Sequence, residues 1–75
     1  MPNWSETHDR LQSEALACGR IHGATARELA LPPDMFEESL LVMTEVWRGA
    51  GCSEAWVQAA EQASRAAYRG VDRPR

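Results

Sequence analysis

The stretch Ser53-Glu54-Ala55-Trp56-Val57-Gln58-Ala59-Ala60-Glu61-Gln62-Ala63-Ser64-Arg65-Ala66-Ala67-Tyr68-Arg69-Gly70 decides the fold. Ser53 is a favoured helix N-cap, and Glu54 places negative charge where the helix dipole favours it. Gly70 is the residue type that most easily takes the left-handed conformation ending a helix. Between them Trp56, Ala59, Ala60, Ala63, Ala66 and Ala67 recur at steps of three and four, so one inner face is mostly alanine. Such a face lets a second helix approach closely but buries little area per residue. A helix is therefore predicted from Ser53 to about Arg69.

Working towards the N-terminus, a second helix is predicted from Pro33 or Asp34 to Trp47. Proline suits a first helical turn, Asp34, Glu37 and Glu38 suit the dipole, and Arg48 with Gly49 suits the end. Its apolar face, carrying Met35, Phe36, Leu40, Val42, Met43, Val46 and Trp47, is nearly half the cylinder. That width suits a helix with two neighbours. A first helix is predicted from about Trp4 to about Gly19 or slightly beyond, capped by Asn3 or Ser5. Trp4, His8, Leu11, Ala15, Cys18 and His22 form its stripe, and Gly19 and Gly23 bracket its end. Thr25 to Leu31 reads as a short extra helical turn, because Thr25 and Glu28 have capping-box spacing and Pro32-Pro33 stops it. Strand alternation is missing. The expectation is an all-α single domain over residues 1–70: a small bundle of three main helices, a short extra turn between the first two, and a disordered tail over 71–75.

At 75 residues the chain is too short for a generous core. Domains of this size gain stability from disulfides, a metal or a partner chain. The amino-terminal residues carry neither a basic region nor an apolar run, and no stretch is long enough to span a bilayer. A cytoplasmic location is expected, with Cys18 and Cys52 reduced. The formal charge is −3, and every basic side chain is arginine. That composition fits GC-rich bacterial or phage coding.

Three kinds of chemistry draw on residues present in the chain. Cys18 and His22, four apart, could share a helix face and bind zinc, with His8 or Cys52 in support. A structural zinc site needs two close ligand pairs, however, and Cys52 has no near partner in sequence. No metal or cofactor is expected. Cys18 with His22 is also the sole nucleophile–base pair within sequence reach, with no evident oxyanion hole, so no enzymatic activity is expected. Residues 25–45 look like a degenerate helix-turn-helix, which would make the chain a dimeric DNA-binding regulator. The helix that would enter the groove begins Asp34, Met35, Phe36, Glu37, Glu38, which repels phosphates and reads no guanine.

The remaining reading is a small acidic regulator, adaptor or inhibitor that binds another protein through helix faces and self-associates as a homodimer. Three surfaces carry this expectation. The first is the acidic face of the second helix, with Asp34, Glu37, Glu38, Leu41 and Glu45, suited to an Arg-rich partner. The second is the patch of Val57, Glu61 and Tyr68 beside Ser64. The third is the first-helix stripe of Trp4, Leu11, Ala15 and Cys18, which resembles a short coiled-coil seam.

Overall fold

The computed structural model describes the backbone of residues 4–70 and the side chains of residues 13–70. The cap at Asn3, the side chains of Trp4, His8 and Leu11, and the tail 71–75 lie outside the described residues. The chain is all-α, with α1 over Trp4–Glu28, α2 over Pro33–Gly49 and α3 over Glu54–Arg69. Ser53 caps α3 by accepting the Trp56 N–H at 3.2 Å, and Gly70 ends it at φ 78°. Pro33 opens α2, and Gly51 at φ 94° follows its end, with the Gly51 and Cys52 N–H groups closing on Arg48 and Trp47 carbonyls.

The first helix departs from expectation. It does not stop near Gly19, and Thr25 to Glu28 are its last turn rather than a separate piece. It closes with the same two-bond pattern: Ala30 N–H to Arg27 and Leu31 N–H to Ala26. The left-handed residue here is Ala30, at φ 55°. Glycine weakens a helix interior by about 1 kcal/mol, so local preference alone argues for a break. Tertiary packing overrides it. A Cβ built on Gly19 would lie 2.1 Å from the Ala60 carbonyl oxygen, and one on Gly23 would lie 2.0 Å from that of Ser64. Only a bare backbone fits there. Ala15 and Ala26 continue the same buried line.

Both contacts step by four residues in the same direction, so α1 and α3 run parallel along a seam of small side chains. The helix between them runs the opposite way. Its start lies near the end of α3, where the Phe36 and Tyr68 rings stack at 3.9 Å. Its end lies near the start of α3, where Trp47 and Trp56 meet edge to face at 5.6 Å. The core is Ala15, Ala26, Phe36, Leu40, Trp47, Val57 and Ala60. Arg65 adds a clamp, reaching Glu37 on α2 at 2.6 Å and Glu61 on its own helix at 2.9 Å. Both pairs are partly exposed and contribute little to stability.

The assembly is a slab measuring 47 × 33 × 13 Å. The radius of gyration is 13.1 Å, against roughly 11 Å for a compact chain of this length.

Candidate docking surfaces and the His22 cluster

α1 and α3 touch closely because their facing residues are small. α2 is held off by Phe36, Leu40 and Trp47, and it leans on α3 more than on α1. A groove of about 450 Å³ therefore opens between α1 and α2. Cys18, Ile21, Thr25 and Leu29 form its α1 wall, and Met43 and Trp47 stand opposite. Ile21 is 68% exposed and Leu29 67%. Beyond Met43, the α2 face continues through Met35, Val42 and Val46, each about half exposed. By helical spacing these residues share one side of α2, between the groove and the acidic side, with Glu38 and Glu45 one turn from Val42. The wall, groove and rim form one apolar face on the slab. The width of the α2 apolar arc was the signal for it in the sequence. The second neighbour implied by that width is incompletely supplied by the chain itself.

Inside the groove His22 joins all three helices. Ser64 Oγ, fully buried on α3, lies 2.6 Å from its Nδ1, and Ser39 Oγ on α2 lies 3.2 Å from its Nε2. The Ser39 hydroxyl donates to the Phe36 carbonyl at 2.9 Å. It must therefore accept from Nε2–H, which leaves Nδ1 to accept the Ser64 proton. This arrangement satisfies a neutral imidazole. Burial pushes the His22 pKa below its ordinary 6.5. Serine, histidine and serine in line resemble a hydrolytic array, but Ser39 sits within α2, where the neighbouring N–H groups are bonded along the helix.

The sequence-predicted surfaces fare differently. Asp34, Glu37, Glu38, Leu41 and Glu45 are all exposed on one side of α2, with Leu41 66% exposed among the carboxylates. Glu37 is engaged by Arg65, and Arg48 beside them pairs with Glu54 at 2.8 Å. The second patch is corrected. Val57 is 0% exposed, in the middle of the core, and Ser64 is equally buried. Tyr68 is half-buried, stacks on Phe36 and donates its hydroxyl to the Leu31 carbonyl. Glu61 is half-buried and holds Arg65. The reason is that α3 packs against two helices, so its buried arc extends past the alanines to Val57, Ser64 and Tyr68. Of the third surface, Ala15 is buried against α3, whereas Cys18 lies exposed on the groove wall.

Cys52 is half-buried. Among the described residues no three His, Cys, Asp or Glu side chains cluster as a metal site, and both His22 nitrogens already face serine hydroxyls. No described helix is long and apolar enough to cross a membrane. Residues 25–45 form the end of α1, a turn and most of α2, whose first turns expose Asp34, Glu37 and Glu38. Comparison with known proteins finds no match to this chain, whether among family models, curated proteins or solved structures.

Proposed function

We propose that this chain is a non-enzymatic protein-interaction module, a small regulator, adaptor or inhibitor that docks another polypeptide through its helix faces. The observation that carries the reading is the open apolar face of α1 and α2. A monomeric domain seldom leaves so much contiguous apolar surface in water, and such patches mark interaction sites. The His22, Ser39 and Ser64 side chains at its floor are already paired with one another, so covering the face strands none of them. The acidic side of α2, with Leu41 among Asp34, Glu38 and Glu45, forms a second surface whose chemistry fits an Arg-rich partner.

The test compares proteins retained from an extract by the parent chain, by Ile21→Glu and by Glu38→Arg/Glu45→Arg, with far-UV circular dichroism as the folding control. Retention by the parent, lost in Ile21→Glu with helicity unchanged, supports docking on the apolar face. Loss confined to the α2 charge reversal moves the site to the acidic side. Identical retention by all three sinks the reading.

A further inference from the structure

Resting on the reading of the α1–α2 face as a docking surface, we infer that its occupant is a basic amphipathic helix of another protein, with an apolar stripe flanked on both sides by Arg or Lys. The border of the face carries the inference. On α2, Glu38 and Glu45 stand one turn from Val42, along the outer edge of the strip formed by Met35, Val42 and Val46. On α1, Glu14 lies one turn before Cys18 and Glu28 one turn beyond Thr25, so both stand beside Ile21 at the outer edge of the groove wall. All four carboxylates are exposed. Glu28, Glu38 and Glu45 enter no ion pair among the described residues. The described arginines are turned elsewhere. Arg20 and Arg27 lie on the side of α1 opposite Cys18, and the Arg27 guanidinium sits against Gly70. Arg48, one turn from Glu45, is held by Glu54, and Arg65 by Glu37 and Glu61. Arg69 turns back to the Arg65 carbonyl. The apolar face is thus bordered by carboxylates on both sides.

The groove selects a helix as well as a charge. Its α1 wall runs from Cys18 to Leu29, about three turns or about 16 Å of helix. Its surface is almost wholly apolar, and His22, Ser39 and Ser64 at its floor are bonded to one another. An extended segment laid there would leave its own N–H and C=O groups unpaired. A helix bonds its backbone internally and presents apolar residues at steps of three and four. Its polar flanks then project over the two borders. There Glu28 on one side and Glu38 with Glu45 on the other favour guanidinium or ammonium groups and oppose carboxylates. The same border disfavours a second copy of this chain, because two such faces would bring their own carboxylates together.

Three synthetic peptides, each long enough for about four helical turns, test the proposal on the full chain. The first carries a leucine stripe at helical spacing with arginine flanks. The second has the same stripe with glutamate flanks, and the third has the composition of the first with the stripe scrambled. Affinity is read by fluorescence anisotropy of the labelled peptide. Position is read by alkylation of Cys18 on the groove wall, with half-buried Cys52 as the internal reference. The arginine-flanked peptide should bind and slow Cys18 alkylation, and each of the others should bind more weakly by about tenfold or more. Glu38→Arg/Glu45→Arg should weaken that binding about tenfold at low salt, as expected for the loss of two exposed charge pairs. The difference should shrink as salt is raised. Ile21→Ser should weaken binding at every salt concentration. Equal binding and Cys18 protection by the glutamate-flanked peptide overturns the basic partner and leaves the docking reading standing. Binding of the arginine-flanked peptide that leaves Cys18 reactive overturns the proposal by placing the contact outside the groove. Cys18 protection that rises with the chain's own concentration, without peptide, overturns it in favour of a second copy. Protection by an extract protein but by no arginine-flanked peptide overturns it and keeps the docking reading, and protection by neither removes both.

Discussion

The two flanks of α1 show opposite ways of meeting a neighbour. Towards α3 it presents Ala15, Gly19, Gly23 and Ala26, and the helices close until backbone touches backbone. Towards α2 it presents Cys18, Ile21 and Leu29, and the space stays open. Large apolar side chains on one helix do not ensure burial. They need a surface placed to receive them, and Phe36, Leu40 and Trp47 keep α2 at a distance. Small side chains bury little area each, yet they fix position tightly because nothing can yield except the backbone.

The sharpest way to break this contrast is Gly23→Ala. In an ordinary helix interior the change stabilises by about 1 kcal/mol. Here the added carbon meets the Ser64 carbonyl, and we expect a loss of about 3 kcal/mol, the upper range for overpacking. Gly49→Ala is the matched control, since nothing lies within 4 Å of its new carbon. Urea denaturation of both variants checks the sign. A stabilised Gly23→Ala would mean that the seam is looser than described.

A smaller effect probes the corrected patch. Tyr68→Phe keeps the stack on Phe36 and removes the hydrogen bond to Leu31. It should cost about 1 kcal/mol in the same denaturation measurement. An unchanged stability would return the Tyr68 hydroxyl to the surface.

How far the sequence could be read follows from these residues. The ends of α2 and α3 were legible because Pro33, Ser53 and Gly70 act on their own backbone, and local chemistry settles them. The tight approach along α3 was legible from Ala60 and Ala63. Gly19 and Gly23 misled because glycine weakens a helix locally, whereas the reason to keep it lies about forty residues away in α3. Their spacing with Ala15 and Ala26, at near-regular steps of four and three, was the available signal. Val57 and Tyr68 misled because the inner face of α3 was centred on its alanines. A helix with two neighbours has two overlapping faces, and the second depended on where α2 lies. The acidic side of α2 was legible because it requires only that charged residues face water. The apolar face was visible as excess width on α2, but its opening towards α1 is a property of the assembled helices.

The mildest perturbation is pH, acting where seam and groove meet. The folded-state pKa of His22 is lowered by burial. The unfolded chain therefore takes up the proton first as pH falls. The stability associated with neutral His22 is complete above about pH 6.5 and declines below it towards the lower folded-state value. Denaturation midpoints measured at intervals from pH 7.5 to 5.5 should fall in the parent chain, with a shallower fall in His22→Gln. Equal slopes would assign the titration to another group.

The parallel seam also dictates when the protein can be finished during its synthesis. Gly19 meets Ala60 and Gly23 meets Ser64, each pair separated by 41 positions along the chain. Closing a loop of that length costs about 3 kcal/mol in chain entropy, and the contacts that offset it need α3. A nascent chain that has made only α1 and α2 carries two apolar helices and lacks the element both pack against. Since chains emerge amino-terminus first, the seam awaits the translation of α3, and a product ending before Ala60 would lack its central contacts.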